Sequence, residues 1–401
     1  MSGGVMARLV GGAVCVWLVV GTAAPAAADD SAKLLAEVRA AWQQRQDAAR
    51  TARFVWTGRT VHPKGVVVGT KGPGKDVVND GTGRVLLEGN KWRLATRGLI
   101  WSEPPYGFVP EHREVAFDGE RYVTLIHHQP GHNQFPYGLI RRKPGEVAQA
   151  SMTFNLIDYW PLRVAVRGAD PRLSNETLET HALARRATLQ GRPVVELVQQ
   201  RTEVSGESKV WVDPAQDYAV RRHDMYTAAG ELHTRIDVTT ERHPSGVWLP
   251  KAWTVQSMSG AALQRRTVFT LVEVTLNPSV AAGDLEIDFP PNTVVDEYTD
   301  SKGQSQLTAS HIVRGDGGRR PIVPGEWNNV GYEDLLRTEP GELLGSVPPP
   351  WWTSRSVLVA ACGVVLALAV AALLVVRRRA LRRRTLPVTA EPPVNPRSEE
   401  R

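Results

Sequence analysis

One stretch constrains this chain more than any other: Ser356–Val376, SVLVAACGVVLALAVAALLVV, with no charge and no proline. As a helix it would be about 31 Å long, close to the hydrocarbon thickness of a bilayer. Arg355 precedes it, and Arg377, Arg378, Arg379, Arg382, Arg383 and Arg384 follow at once. Basic residues crowded on one flank of a span hold that side in the cytoplasm. Trp351 and Trp352 stand on the other flank, at the level where amphipathic rings prefer the headgroups. The run therefore predicts a single transmembrane helix, with everything before Ser356 outside and a short basic tail, residues 377–401, inside.

The N-terminus agrees with this topology. Arg8 is followed by the apolar run Leu9–Val20 and then by Ala26-Ala27-Ala28 before Asp29. That is the layout of a secretory signal peptide with an A-x-A cleavage site, which predicts residues 1–28 as a leader. Cys15 does not read as a lipidated cysteine, because bulky Val14 precedes it. The expected product is a type I, single-pass protein of the cytoplasmic (inner) membrane with an extracytoplasmic ectodomain.

The partition also explains the charge. The chain has 48 basic and 42 acidic residues, a net charge of +6. Without Arg8 and the eight Arg and three Glu of the tail, 39 of each sign remain between Asp29 and Arg355. The basic balance is thus a topology signal and not a nucleic-acid footprint. The two cysteines, Cys15 and Cys362, lie in the leader and the span. The exported part therefore has no disulfide and no thiol chemistry, and its stability must come from its hydrophobic core.

Ser31–Ala52 reads as an amphipathic helix. Leu34, Leu35, Val38, Ala41, Trp42 and Ala49 recur at three-to-four spacing, while Lys33, Glu37, Arg39, Arg45 and Asp47 fall mostly elsewhere. From Arg53 the texture changes to short strands with turn residues about every ten positions. Glu88-Gly89-Asn90-Lys91, Asp118-Gly119, Gln190-Gly191, Asp213-Pro214, Ala229-Gly230 and Pro244-Ser245-Gly246 each separate two apolar runs. This predicts a meandering antiparallel sheet. Gly131–Pro171 interrupts it, as a long loop or a helix crossing a sheet face, with helical spacing over Glu146–Tyr159. After Phe289 the sequence loosens, and 301–355 reads as a juxtamembrane stalk.

Several motifs invite chemistry. Gly69–Asp76 approaches a phosphate-binding P-loop, but Asp76 stands where a hydroxyl is needed and no helix follows, so a hairpin loop is expected. His127, His128 and His132, with Asp118 and Glu120 nearby, invite a metal. Adjacent histidines on a strand point to opposite faces, which argues against it, and no metal or cofactor is predicted. There is no G-x-S-x-G, and the pair Asp296-Glu297 reads as solvated surface. No catalytic residue is therefore predicted, although scattered acids could still converge in the fold.

One stretch carries a family resemblance. Lys209-Val210-Trp211-Val212-Asp213-Pro214, followed by Tyr218–Arg222, resembles the strand–turn–strand of the LolA/LolB/RseB-like envelope proteins. Leu285–Val295 is similar to a closing strand and Pro-rich turn of that group. Ala219 and Val220 depart from the pattern, which often has a proline there, and a membrane anchor does not suit a shuttling carrier. The resemblance implies a mainly β (α+β) domain over residues 29–300. Its curved antiparallel half-barrel sheet would pack on the N-terminal helix. It also implies binding of a lipid or lipoprotein, with sensing of that ligand as an extension. Eight tryptophans lie from Trp42 to Trp253, and Phe54, Trp56, Trp92 and Trp211 are the candidate lining of an apolar pocket. The competing readings are a structural or protein-interaction ectodomain with a filled core, and an envelope hydrolase.

The topology is directly testable. Protease added to intact spheroplasts should digest the ectodomain and leave the basic tail protected, as read by antibodies to each end. A protected ectodomain would reverse the orientation.

Overall fold

The structure is a computed structural model that describes residues 25–65, 73–102, 107–127, 135–142, 154–169, 181, 183–199, 206–301, 304–324, 326 and 331–340. The expected leader (save its last residues), the span Ser356–Val376 and the tail lie outside the described residues. Among the described residues no helix is long and apolar enough to cross a membrane. The chain divides into two units, Met1–Pro321 and Ile322–Arg401. The second unit's described residues include one short helix, Tyr332–Arg337, with Leu335 buried.

The first unit opens with helix α1, Pro25–Ala48. Its buried stripe is Leu34, Val38, Trp42, Arg45 and Ala49, close to the predicted face. Arg45 is the exception. It was expected on the polar side, but it lies buried with its Nη1 donating to the carbonyl of Asp217 at 3.1 Å. Burial lowers its pKa to about 10. The helix also stops earlier than its apolar spacing suggested, because Thr51 and Ala52 already pair as strand.

Among the described residues sixteen strands follow and form one sheet. In chain order they are β1 Thr51–His62, β2 Val77–Glu88, β3 Lys91–Ser102, β4 Gly107–Phe117, β5 Arg121–His127, β6 Tyr137–Arg142, β7 Leu183–Leu189 and β8 Arg192–Gln199. They continue with β9 Ser208–Asp213, β10 Ala219–Tyr226, β11 Leu232–Arg242, β12 Trp248–Ser259, β13 Ala262–Leu276, β14 Val294–Ser301, β15 Gln304–Val313 and β16 Arg319–Pro321. Across the sheet the order is β16-β15-β14-β6-β5-β4-β3-β2-β1-β13-β12-β11-β10-β9-β8-β7, and the two edges do not meet. The sheet is curved and open, as the half-barrel expectation required. Neighbours are antiparallel except β6 and β14, which pair in parallel. The predicted turns at Gly89, Asp118-Gly119, Gln190-Gly191, Gly230 and Gly246 all join hairpins, and these glycines hold positive φ. Asp76 serves the β1–β2 connection, where its carboxylate accepts from the Lys64 amide at 2.8 Å.

Two expectations change. The stretch read as the start of a stalk contains β15 and β16, so the sheet runs on to Pro321. Asp296 and Glu297 are not a solvated pair. Asp296 accepts from the Tyr137 hydroxyl at 2.8 Å and from Ser310, and Glu297 meets Arg142 and Arg319.

Of the interruption after β6, residues 154–167 cross one face of the sheet as helix, and the rest of the expected helix Glu146–Tyr159 lies outside the described residues. A 3₁₀ turn, Phe154–Tyr159, leads into helix α2, Trp160–Arg167, with Pro161 at its start, where a missing N–H costs nothing. Every residue of α2 is buried. Together α1 and α2 cover part of the inner face, whose core includes Phe54, Trp92, Leu94, Leu197, Val210, Val212, Ile236 and Trp253.

His223 sits fully buried in this core. Its Nε2 meets the Ser208 hydroxyl at 2.8 Å, and its ring packs on Trp160 at 4.3 Å. Burial, with His181 nearby, lowers its pKa to about 3. The unfolded chain therefore takes up a proton, near pH 6.5, that the native state refuses. Stability is full above that pH and falls between about 6.5 and 3. Urea midpoints of the domain should fall as the pH is lowered over this range. In His223→Leu that acid dependence should flatten, even where the plateau itself is lower.

Candidate functional site

The helices leave one end of the inner face uncovered, and there lies a cavity of about 330 Å³. Its floor is made by rings lying flat on glycine. Trp56 on β1 covers Gly83 of β2, where a Cβ would fall 2.2 Å from the indole. Phe269 of β13 covers Gly58 of β1, where a Cβ would fall 2.7 Å from the ring. Trp253 stacks on Phe269 with centroids 5.1 Å apart. Leu94 and Val115 complete the apolar wall. Glycine within a strand permits this close approach, since any side chain would lift the ring off the sheet.

The rim is polar. Arg113 of β4 pairs with Glu111 at 2.5 Å, and Arg265 of β13 pairs with Asp158 of the 3₁₀ turn at 3.2 Å. Asp158 is fixed in turn, because its carbonyl accepts from the Trp253 indole at 2.7 Å. His62 also lines the rim. Burial and the charge of Arg265 lower its pKa to about 4, so it is neutral at pH 7. Each of these two arginines is neutralised by its own carboxylate, and Arg97 of β3 adds a third guanidinium residue to the lining. Two buried donors, Asn79 Nδ2 and Arg113 Nε, have no hydrogen-bond partner among the described residues. A buried N–H without an acceptor is costly, and an acceptor oxygen entering the cavity would relieve that cost.

The sequence-predicted lining is divided by the structure. Trp56 borders the cavity. Phe54 and Trp92 lie on the same face but deeper, within the core and fully packed. Trp211 points to the opposite face, because the buried Val210 and Val212 flank it, and its register neighbours there are Glu196 and Arg222. Asn79, Gly98, Arg113, Arg265 and Phe269 were not singled out from sequence. Glycines within strands, Gly58, Gly81, Gly83 and Gly98, were the available signal.

No protein-family model and no curated protein matches the sequence. Solved structures do. A putative outer membrane lipoprotein-sorting protein domain from Vibrio parahaemolyticus matches at 12% identity, covering 64% of this chain and 97% of that one, with a TM-score of 0.39. A DUF1329 family protein from Desulfovibrio piger matches at 11% identity, over 63% and 96%, with a TM-score of 0.36. A LolA superfamily protein from Nitrosomonas europaea matches at 12% identity, over 62% and 97%, with a TM-score of 0.33. At these scores neither a family nor a function passes across with the likeness.

The cavity's glycines give a test. Gly98 of β3 faces the opening, and a Cβ there would meet nothing closer than the Gly81 Cα at 3.9 Å. Gly98→Val should narrow the cavity with a stability change below about 0.5 kcal/mol. Gly83→Val should cost about 1–3 kcal/mol by displacing Trp56. Thermal melts of the two variants compare them directly.

Proposed function

We propose that this protein is an extracytoplasmic, membrane-anchored binding protein whose inner-face cavity holds the acyl part of a lipid or lipoprotein, without catalysis. One observation carries the reading: an aromatic floor and unpartnered buried donors share one cavity. An acyl ester or amide offers both halves of the match, methylenes for Trp56, Phe269, Leu94 and Val115, and a carbonyl oxygen for Asn79 or Arg113. At about 330 Å³ the cavity falls at the small end of ligand sites, which suits part of a chain and not a whole lipid. Each buried methylene contributes about 0.8 kcal/mol, so ten contribute roughly 8 kcal/mol before ordering costs. Micromolar affinity follows if those costs are small. The anchor Ser356–Val376 would keep the ectodomain at the membrane surface that supplies such ligands.

A filled-core interaction module describes only the part of the face under α1 and α2. The two readings separate by binding. The purified ectodomain should bind a fluorescent fatty-acyl probe saturably, with weak salt dependence and quenching of tryptophan emission. Gly98→Val should weaken that binding about tenfold while leaving the melting temperature unchanged. Absence of probe binding, together with no co-purified lipid by native mass spectrometry, would favour the interaction module.

A further inference from the structure

On the outer face of the same strands, three ligand-type side chains converge. His112 and Glu114 are two apart on β4 and so share a face, and His127 of β5 is the register partner of His112. The two imidazoles stack with centroids 4.1 Å apart and planes 8° from parallel. Both present Nε2 to the same carboxylate oxygen, Glu114 Oε1, at 3.7 Å from His112 and 3.2 Å from His127. One donor atom from each residue lies within 4.8 Å of the other two. Donors of a tetrahedral zinc site sit roughly 3.3 Å apart, given bonds of about 2.0–2.1 Å, so a small inward movement of the rings closes the set.

We propose that His112, Glu114 and His127 form a binding site for one borderline divalent cation of the Zn²⁺ class, with a fourth position open to water or an exogenous ligand. The donor set favours this class. Two imidazoles and one carboxylate suit zinc, copper or nickel, whereas calcium and magnesium require an oxygen shell. The carboxylate is already oriented. Arg93 on the neighbouring strand holds the other oxygen, Oε2, with Nη2 at 2.6 Å and Nε at 3.1 Å, which leaves Oε1 for the histidine side. Such an outer partner is what fixes a ligand carboxylate in metal sites. Glu114 is buried, while the two histidines remain partly exposed, so an ion has an approach.

The charged surroundings set the terms. Burial works against the charge on Glu114, and Arg93 with the two histidines outweighs it, while Arg97 and Arg84 bear on His112. The same arginines repel a bare cation, which selects against ions held by charge alone. The site is separate from the cavity, because Glu111 and Arg113 on the same strand point to the inner face. The histidine reading from sequence had centred on His127 with His128 and His132, and the latter two lie outside the described residues. His112 and Glu114 are the partners that strand pairing supplies.

The test uses the full-length protein in detergent, with Zn²⁺ alone as probe. Equilibrium dialysis at pH 7.5 should retain one equivalent per chain that excess Ca²⁺ does not displace. His112→Ala and His127→Ala should each weaken binding at least about tenfold, with the metal-free variants keeping the native circular dichroism spectrum. Should either variant misfold, X-ray absorption of the zinc-loaded native chain decides the matter, with two imidazoles expected in the first shell. Retention of zinc by folded variants at native affinity, no retention by the native chain, or a first shell without imidazole each overturns the site.

Discussion

The buried guanidinium of Arg167 sets where the helices lie on this sheet. Taking a cation out of water is costly unless its donors are satisfied. Here they meet four carbonyls. Nη1 reaches Ala49 and Val166, each at 2.6 Å, Nη2 reaches Arg50 at 2.5 Å, and Nε reaches Gly89 at 2.8 Å. Ala49 and Arg50 follow the last residue of α1, where carbonyls lack intrahelical partners and a cation is electrostatically favoured. Gly89 is the turn between β2 and β3, and Val166 belongs to α2. One side chain thus ties both helices to one end of the sheet. Trp42 completes the junction. Its ring packs on Gly168, where a Cβ would fall 2.5 Å away, and its Nε1 donates to Tyr218 at 2.8 Å.

The uncovered cavity follows from that fixed position. With α1 and α2 held at the Gly89 end, Phe54, Trp92 and Leu197 are roofed, while Trp56 and Phe269 meet the opening. The 3₁₀ turn is the boundary: Tyr159 packs on Trp92 at 6.2 Å, and Asp158, one residue earlier, already reaches the rim through Arg265. The same strands are buried on their other face too. The connection between β13 and β14 crosses it, with Phe289 against Gly138 and the Asp284 carbonyl accepting from Arg93. This two-sided burial explains why Leu86, Ala95, Leu125 and Ile140 are buried opposite the helix-bearing face. It also explains why Glu114 lies in surroundings where a carboxylate needs Arg93 and the histidines as partners.

Much of this architecture was legible in the sequence. The period of α1 and the turn glycines gave the helix, the hairpins and the antiparallel order, because those signals act over a few residues. Arg45 was misassigned because its burial depends on the Asp217 carbonyl, far along the chain. α2 was only partly anticipated, since a two-turn helix leaves too short a pattern. β15 and β16 were missed because their polar, exposed residues resemble linker, and pairing to β14 alone makes them strand. The tryptophans split for a similar reason. Alternation puts Phe54 and Trp56 on one face of β1, but it does not relate that face to the faces of Trp92 on β3 and Trp211 on β9.

By itself, then, the sequence determined the local elements and the expected topology across a membrane, through apolar period, turn chemistry and the arginines beside Ser356–Val376. Tertiary structure alone decided which face is inner, where the helices stop, and which side chains share a site. Asn79, Arg113 and Arg265 come together from three strands, and His112 meets His127 only by register. Such juxtapositions depend on long-range pairing and packing, which no local pattern of residues encodes.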